Sequence, residues 1–401
     1  MSAAGLAPAR RRIMHFIESA GIYGAESVIL NLSREMQSDG TFEPVIGCIV
    51  QRAGERVDLA NVGATFGIES HGIKIANSRV LLDLPAAAKQ IRALGIDAIH
   101  CHGYKPAVFA YLISRMTGVK IVATCHLWFV DTYAPWKMRF MIAIEKFLYR
   151  RYPAVVAVSE HIQRTLIENG VRRERTRVIR NGIVLADYKA SESGDAQSGP
   201  VCILNVARLT QQKAQTDLIA AAALVSARLD NVKVLIVGEG ELRPDLEQQI
   251  VASGLSDRVD LLGFRDDVGT LLAESDIFVL PSLDEGMPIS LLEAVACMVP
   301  VIVTAVGDIP KLITDGESGI VVNAQDPAML AEAIWRLATD ARLRRRLAEN
   351  AWHRLQHTFS SKHMFDAYAE VYAVLLGEPD RQGDRSTLAL SLSAGRRSDA
   401  D

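Results

Sequence analysis

The segment DIFVLPSLDEGMPISLLEAVACMVPVIVT, residues 276–304, contains the pattern from which the fold of this 401-residue chain can be worked out. Residues 276–280 and 299–304 are largely apolar runs with the length of buried strands. Between them, residues 281–294 begin as a loop and continue as a helix, with Pro288 placed for its first turn. A strand, a helix and a second strand in this order predict parallel strands covered by the helix.

The same alternation runs along almost the whole chain. We predict further buried strands at residues 13–17, 44–49, 98–101, 120–124 and 154–158 in the first half, and at 201–206, 232–237 and 258–262 in the second. Amphipathic helical patterns lie between them, for example at 25–37, 84–94 and 138–149. Strands that alternate with helices imply parallel sheets covered on both faces, so the predicted fold class is α/β.

Length and composition predict two domains. In residues 189–200, Ser, Gly, Asp and Gln replace apolar residues, which indicates a linker between domains 1–188 and 201–359. Each domain is expected to be a Rossmann-like doubly wound sheet, and two facing domains would leave a cleft at the carboxyl ends of their strands, where ligands bind. Residues 360–377 predict an amphipathic helix that can pack back on the N-terminal domain or on the second. The polar residues 378–401 predict a disordered tail.

The totals exclude several classes of protein. A net charge of -3 gives no basic footprint for nucleic acid. The five cysteines are scattered without a Cys-x-x-Cys, as is usual in a reducing compartment. The apolar run after the arginines at 10–12 is too short for a signal peptide, and no run approaches the ~18 residues of a membrane span. We therefore expect a cytoplasmic protein, at most peripheral on the inner face of a membrane.

Two glutamates in the quoted segment are candidates for binding a sugar. Glu285 falls in the loop, and Glu293 lies about two turns further on, among apolar neighbours that make an unpartnered carboxylate costly. A carboxylate can accept two hydrogen bonds from vicinal hydroxyls such as those of a ribose. The spacing alone also fits two glutamates that face solvent at the start of a helix.

Two cations follow the first predicted strand of the second domain. Arg208 and Lys213 would lie at the carboxyl edge of that sheet. There they could neutralise a diphosphate, the arginine as a planar fork and the lysine as a point charge. The alternative is a solvated loop with ordinary surface charges.

Taken together, these elements resemble family 4 of the retaining glycosyltransferases, which have the GT-B fold. The resemblance rests on the Glu285–Glu293 pair, on Arg208 with Lys213, and on Gly307 after the second strand of the quoted segment. The other matching elements are 24–26 (Gly-Ala-Glu), 124–126 (Thr-Cys-His), 158–160 (Val-Ser-Glu), 181–182 (Asn-Gly), 237–240 (Val-Gly-Glu-Gly) and 262–264 (Leu-Gly-Phe). Their order is highly specific, and the resemblance covers about residues 13–358.

The resemblance implies roles in donor binding within the second domain. Glu293 would hold the ribose hydroxyls of the nucleotide. Glu285 would contact the donor sugar, with the backbone N–H groups of the stretch Gly286, Met287 and Pro288 beside it. In the family, the protein transfers a sugar from a nucleotide-diphosphate sugar, such as a UDP- or GDP-sugar, to a saccharide or lipid-linked acceptor in glycan or polysaccharide biosynthesis, without a cofactor.

The remaining implied roles concern the diphosphate and the reacting carbon. Arg208 and Lys213 would bind the diphosphate leaving group, and Gly24 would let the backbone approach it. His126 would contact the donor sugar near the reacting carbon. Retention would follow from attack on the face that the diphosphate leaves, with a leaving-group oxygen taking the acceptor proton.

Five positions depart from the family pattern. Tyr23 and Asp308 stand beside Gly24 and Gly307 where a second glycine is usual. Ala214 and Met298 replace glycines, and Lys311 stands where a glutamate often occurs. These departures affect the predicted loop shapes but leave the acidic pair and the two cations unchanged.

Four other interpretations of the sequence are possible. A metal site could form if His100, Cys101, His102, Cys125 and His126 converged, but we expect the cysteines to be buried as apolar residues and predict no metal. The only Asp-x-Asp is residues 399–401, in the predicted tail, which favours metal-independent transfer. A nicotinamide oxidoreductase would show Gly-x-Gly-x-x-Gly after its first strand, which is absent. A non-catalytic nucleotide-sugar-binding protein and a related GT-B epimerase or sucrose-phosphate-type synthase remain as alternatives.

Residues 135–151 mix basic, aromatic and aliphatic side chains. Such a helix can lie in a membrane interface, or it can pack one face on the sheet with its basic residues in water. The sequence is compatible with both interpretations of this helix.

Overall fold

The computed structural model describes residues 10–19, 21–126, 136–189 and 199–378, and for residues 136–142 it describes the backbone alone. The chain forms two compact units. The first runs to Arg180 and resumes at Ser361, and the second is Asn181–Ser360. Most of the predicted linker, residues 190–198, and the predicted tail from residue 379 onward lie outside the described residues.

The first unit is built on a seven-stranded sheet in which neighbouring strands pair in parallel. The strands are β1 (Arg11–Ile17), β2 (Phe42–Val50), β3 (Glu69–Lys74), β4 (Ala98–His102), β5 (Lys120–Cys125), β6 (Val155–Ala157) and β7 (Thr176–Val178), in the order β3-β2-β1-β4-β5-β6-β7. The helices are α1 (Gly24–Asp39), α2 (Asp58–Thr65), α3 (Val80–Ala93), α4 (Tyr104–Thr117), α5 (Trp136–Tyr149) and α6 (Glu160–Glu168).

The second unit is built on a six-stranded parallel sheet. Its strands are β8 (Val201–Val206), β9 (Val232–Val237), β10 (Val259–Gly263), β11 (Ile277–Leu280), β12 (Val301–Thr304) and β13 (Ile320–Val322), in the order β10-β9-β8-β11-β12-β13. Its helices are α7 (Gln215–Ser226), α8 (Arg243–Ala252), α9 (Val268–Ala273), α10 (Ile289–Ala296), α11 (Ile309–Leu312), α12 (Pro327–Thr339) and α13 (Ala341–Thr358). The last helix, α14 (Ser361–Leu376), belongs to the first unit.

All ten predicted strands form, and the predicted α/β class is confirmed. The three strands that the sequence pattern missed all lie at sheet edges. Strand β3 has a single buried residue, Ile73, so it lacks an apolar run, and β7 and β13 are three residues each. Three residues are fewer than the apolar run of about 4–8 that indicates a buried strand, and β3 is too exposed to form such a run.

The two faces of the first sheet differ in chemistry. Alternation along β4 directs Ile99 and Cys101 into an apolar core, and His100 and His102 to the opposite face. On that polar face, α14 packs against α1 and β5. The ring of its Tyr372 stands edge-on to Phe42, with the centroids 5.5 Å apart. The chain thus returns from the second unit to cover buried polar groups of the first.

Helix α5 is the segment for which we weighed a membrane contact. Residue 135 and the side chains of 136–142 lie outside the described part of the chain. Among the described side chains, Phe147 is half exposed, and the Arg151 guanidinium lies 3.6 Å from the centroid of its ring. None of the helices described here is both long and apolar enough to cross a bilayer.

Candidate active site

The loop between β11 and α10, residues 281–288, is fixed by hydrogen bonds from neighbouring loops of the second unit. The N–H of Leu283 donates to the carbonyl of Gln212 at 2.8 Å, and the side-chain amide of Gln212 donates to the carbonyl of Asp284 at 2.6 Å. The N–H of Asp308 donates to the carbonyl of Gly286 at 3.0 Å. Because several segments hold this backbone, the position of Glu285 within it is well defined.

Glu285 and Lys213 form a buried ion pair. The Lys213 Nζ lies 2.6 Å from Glu285 Oε1, and the side chains are only 14% and 6% exposed. The two residues are 72 positions apart. They meet because β8 and β11 are neighbours in the sheet, so the loops that follow these parallel strands emerge at the same edge. A cation and a carboxylate predicted from separate motifs therefore lie in direct contact.

The turn that carries Lys213 depends on a left-handed residue. Ala214 follows the lysine with φ 49°, which favours glycine and explains why the family usually places one there. Gln215 then opens α7, and its side-chain amide donates to the carbonyl of Arg208 at 2.9 Å. The Arg208 side chain is exposed, and its guanidinium makes no hydrogen bond to another described residue. This turn thus presents one paired and one unpaired cation.

Glu293 is half-buried on α10 and accepts a hydrogen bond from the hydroxyl of Tyr188 at 3.0 Å. Burial raises the pKa of the Glu293 carboxyl, and the bond from Tyr188 opposes part of that rise. Burial and the neighbouring Glu293 also raise the pKa of Tyr188, so its hydroxyl keeps its proton and donates. Tyr188 thus orients the Glu293 carboxylate through Oε1, and Oε2 can accept from a further donor.

Polar groups near these side chains lack partners among the described residues. The N–H groups of Gly286 and Met287 make no hydrogen bond there, although both residues are buried. Pro288 has no N–H, so only the first two residues of the predicted stretch can donate from the backbone. Four buried side-chain oxygens also lack a hydrogen-bond partner among the described residues. They are Thr210 Oγ1, Gln212 Oε1, Gln215 Oε1 and Ser282 Oγ. Their hydrogen-bonding capacity is left to a ligand or to solvent.

Glycines allow the loops of the second unit to pack closely. A Cβ on Gly307, whose φ is 56°, would lie 2.0 Å from the carbonyl oxygen of Glu285. A Cβ on Gly238 would lie 2.0 Å from the carbonyl oxygen of Ala207. No side chain fits at such distances. The backbone on either side of the ion pair therefore requires glycine at these positions.

Gly24 lies in the first unit, as the first residue of α1, and is exposed. The preceding residue, Tyr23, caps the helix, and its N–H donates to Glu26 Oε2 at 3.1 Å. An exposed glycine at the start of a 16-residue helix leaves the positive end of the helix dipole open to an anion.

His126 ends a line of hydrogen-bonded imidazoles in the first unit. Its Nε2 lies 3.0 Å from Nδ1 of His102, and Nε2 of His102 lies 3.2 Å from Nδ1 of His15. We call these three residues the histidine chain. Burial lowers the pKa of His15 to about 3 and of His126 to about 4, and lowers that of His102 well below its usual value. All three rings are therefore neutral near pH 7.

The residues weighed as a metal site are not brought together as a set. Cys101 and Cys125 belong to the apolar core on the other face of the sheet, as expected for buried apolar cysteines. A different trio, His15, His100 and His102, has ring nitrogens within 4.8 Å of one another. Hydrogen bonds already engage every ring nitrogen of this trio except Nε2 of His15.

Several residues of the site were missed by sequence reasoning. Tyr188 and Gln212 carry no signal, because their partners lie far away in the chain. Asn181 matched a family motif but had no assigned role, and its side-chain amide donates to the carbonyl of Met287 at 2.8 Å. His15 could have been noticed as a lone polar residue in the apolar run of β1.

Comparison with known proteins matches both units. The family model for glycosyl transferases group 1 matches residues 189–354, and that for glycosyltransferase family 4 matches residues 22–187. The alpha-D-kanosaminyltransferase of Streptomyces kanamyceticus is 30% identical over 63% of this chain and 70% of its own. The amylovoran biosynthesis glycosyltransferase AmsK of Erwinia amylovora is 33% identical over 48% of this chain and 49% of its own. The crystal structure of Anabaena Alr3699/HepE in complex with UDP and glucose superposes with a TM-score of 0.80, at 22% identity, over 91% of this chain and 100% of that one.

Proposed function

The chain belongs to the group 1 glycosyltransferases, family 4, and from this membership we propose that it transfers a hexose from a UDP-sugar to a saccharide or lipid-linked acceptor. As a member of a retaining family with the GT-B fold, it uses a nucleotide sugar and keeps the configuration of the sugar. The complex of the Anabaena protein with UDP and glucose supports UDP as the nucleotide. The amylovoran relative supports a saccharide acceptor in polysaccharide biosynthesis.

The buried Lys213–Glu285 pair is the observation that supports this function best. An ammonium group has three N–H donors, and Glu285 takes one of them. We assign the others to the diphosphate, together with the guanidinium of Arg208, which has no partner among the described residues. Glu285 uses its remaining oxygen lone pairs on the donor sugar, beside the N–H groups of Gly286 and Met287.

Glu293 is assigned to the ribose of the nucleotide. Its Oε1 accepts from Tyr188, and its other lone pairs remain for the vicinal hydroxyls. These contacts are alike in the ground state and the transition state, so they contribute to affinity for the donor. Gly24 and His126 of the first unit are assigned to the diphosphate and to the donor sugar.

The main chemical task of these groups is electrostatic. Negative charge grows on the diphosphate as the glycosidic bond to the sugar breaks. Lys213 and Arg208 stabilise that charge, in a setting where the ammonium is already oriented by Glu285. An oxygen of the leaving group takes the proton of the acceptor hydroxyl as the acceptor attacks from the same face.

Steady-state kinetics on a double-mutant cycle test this assignment. Lys213→Met should lower kcat by about 10²–10³-fold, the usual cost of one lost transition-state stabiliser. Lys213→Met also leaves Glu285 without its ion-pair partner, and a displaced Glu285 would itself lower kcat. The cycle therefore includes Glu285→Gln and the double variant. We expect Lys213→Met to lower kcat about 100-fold in the Glu285→Gln background as well.

The surface residue Lys233 provides the matched control. Its Nζ pairs with Asp260 at 2.9 Å, near the amino end of β9, so Lys233→Met removes the same charge away from the site. It should leave kcat and the donor KM near the wild-type values. A double variant no slower than Glu285→Gln alone would show that Lys213 acts only as a partner of Glu285. The folded fraction of each variant is read from its melting curve.

A thermal-shift screen tests the nucleotide. UDP, GDP and ADP are compared at equal concentration, alone and as sugar conjugates. A ligand at 100 times its Kd adds about 2.7 kcal/mol to apparent stability, so UDP should raise the melting temperature most. Glu293→Gln should reduce the shift with all three nucleotides, because they share the same ribose, without a matching loss of kcat. A larger shift with GDP would overturn the choice of UDP.

We also propose a peripheral membrane contact through residues 135–151. Its support among the described residues is the half-exposed Phe147 beside the exposed Arg150 and Arg151. The protein should co-sediment with vesicles of anionic lipid and detach at high salt. Equal recovery in the supernatant with and without vesicles would contradict the proposal.

A further inference from the structure

The register of the first sheet places three histidines on one buried face. His15 of β1 pairs directly with His100 of β4, and His102 follows two residues later on the same face. All three are at most 2% exposed. Burying histidines at adjacent positions of two neighbouring strands costs free energy unless their ring nitrogens are hydrogen-bonded.

Each contact in the histidine chain needs one proton. A neutral imidazole has one N–H and one bare nitrogen, so it donates once and accepts once. His102 lies between the two others, with its Nε2 on His15 and its Nδ1 on His126. The chain must therefore run in one direction, with every ring donating outward toward His126 or every ring donating inward toward His15.

The inner end of the chain decides the direction. Nε2 of His15 is buried and has no partner among the described residues. If the rings donated inward, this nitrogen would carry an N–H with no acceptor. A buried N–H without a partner is rarer and costlier than a bare lone pair. The outward direction leaves only the lone pair, so Nδ1 carries the proton on His15, on His102 and on His126.

The adjacent His100 is held in a separate network. Its Nδ1 lies 2.7 Å from the hydroxyl of Tyr372, and its Nε2 lies 2.7 Å from Thr124 Oγ1, which in turn lies 2.8 Å from the hydroxyl of Tyr368. The His100 ring packs on that of His102, with the centroids 4.2 Å apart. No hydrogen bond links it to the histidine chain among the described residues. It orients His102 by packing alone.

We propose that His15 and His102 are positioning residues that fix the tautomer of His126, so that this neutral ring presents an Nδ1–H donor to its ligand. The ligand of His126, a hydroxyl of the donor sugar, rests on the proposed function. A single fixed N–H donor favours a group that can accept a hydrogen bond, such as a hydroxyl, over a group that can only donate one. His15 and His102 thereby contribute to the choice of sugar without touching it.

Histidine tautomers can be read directly by nuclear magnetic resonance. Protein labelled with ¹⁵N at histidine gives distinct nitrogen shifts for a protonated and a bare ring nitrogen, and the His126→Gln variant assigns the signal. In the ligand-free wild-type protein at pH 7, His126 should show a protonated Nδ1 and a bare Nε2. A protonated Nε2 on His126 would overturn the proposal, whatever the activity of the protein.

Two variants separate the histidine chain from general packing. His102→Phe keeps a ring against His100 but removes the donor to His126, so the Nε2–H tautomer of His126 should become populated. His100→Phe is the matched control, and it should leave the tautomer of His126 unchanged. A change in tautomer with His100→Phe, or none with His102→Phe, would refute the chain as the cause.

Kinetics then distinguish the chain from the function assigned to His126. His102→Phe should lower kcat/KM for the donor about 10-fold, the effect of one lost hydrogen bond, and should add little to His126→Phe. If His126→Phe left kcat/KM unchanged although the wild-type tautomer was as expected, that result would contradict the contact of His126 with the sugar. It would support the role of the histidine chain in fixing the tautomer. If His126 carried its proton on Nε2 while His126→Phe lowered kcat/KM, the role of the histidine chain would be refuted and the contact of His126 with the sugar would be supported.

Discussion

Lowering the pH from 7 to 5.5 should destabilise the first unit far more than the second. Burial lowers the pKa of His15 to about 3 and of His126 to about 4, and lowers those of His100 and His102 well below their usual value. In the unfolded chain each titrates near 6.5. Below that pH the unfolded chain binds protons that the folded unit does not, so stability present above pH 6.5 is lost as the pH falls toward the folded values.

Proton linkage gives the size of the loss. A histidine that stays neutral in the folded unit loses a little over ~1 kcal/mol of stabilisation between pH 7 and 5.5, and four together lose about 5 kcal/mol. That is a large part of the ~5–15 kcal/mol by which a domain is stable. Both histidines of the second unit, His353 and His357, are exposed. Burial raises the pKa of Glu293 there, which acts in the opposite direction.

Hydrogen exchange followed by mass spectrometry measures the two units in one sample. After correction for intrinsic exchange rates, the free energy of opening for peptides that contain β4 should fall by about 5 kcal/mol. Peptides that contain β12 should change by much less. His357→Gln, which removes an exposed histidine, should leave both values unchanged. A fall of less than about 1 kcal/mol at β4 would mean that the buried histidines already carry protons when folded.

Three further predictions concern the backbone of the second unit and the diphosphate. Met298 has φ 58°, so Met298→Gly should relieve about 1 kcal/mol of strain and raise the melting temperature of this unit, and calorimetry showing a lower one would contradict it. Gly307→Ala should raise the donor KM severely, because its Cβ would meet the carbonyl of Glu285, and a wild-type KM would count against the loop geometry. Transfer should persist in excess chelator, since side-chain cations serve the diphosphate, and loss of turnover restored by magnesium or manganese would show otherwise.

The fold could be predicted from the sequence wherever strands are buried on both faces. Most such strands are largely apolar, and the intervening helices show their own period, so both sheets could be recognised. Strand β3 could not, because Ile73 is its only buried residue and its pairing comes from β2 alone. A strand of that kind is specified by its neighbour rather than by its own composition.

The sequence indicates the candidate residues of the site one by one but not their arrangement. Glu285 and Lys213 were assigned to separate roles, and only the adjacency of β8 and β11 shows that they pair. Two of the four departures from glycine also show that local sequence does not fix the arrangement. Ala214 and Met298 differ from the family pattern, yet both keep the left-handed backbone that the glycines would have adopted. Loop shape here is imposed by the surrounding structure, and the local sequence tolerates it with strain.

The return of α14 to the first unit sets an order on biosynthesis. The second unit ends at Ser360, so all of it is synthesised before Tyr368 and Tyr372 are added. Until those two residues emerge, His100 and Thr124 lack the hydroxyl groups that satisfy them. The half of the protein that is translated first is therefore completed last, and a released chain that ends between residues 360 and 368 would contain the whole second unit beside an unfinished first one.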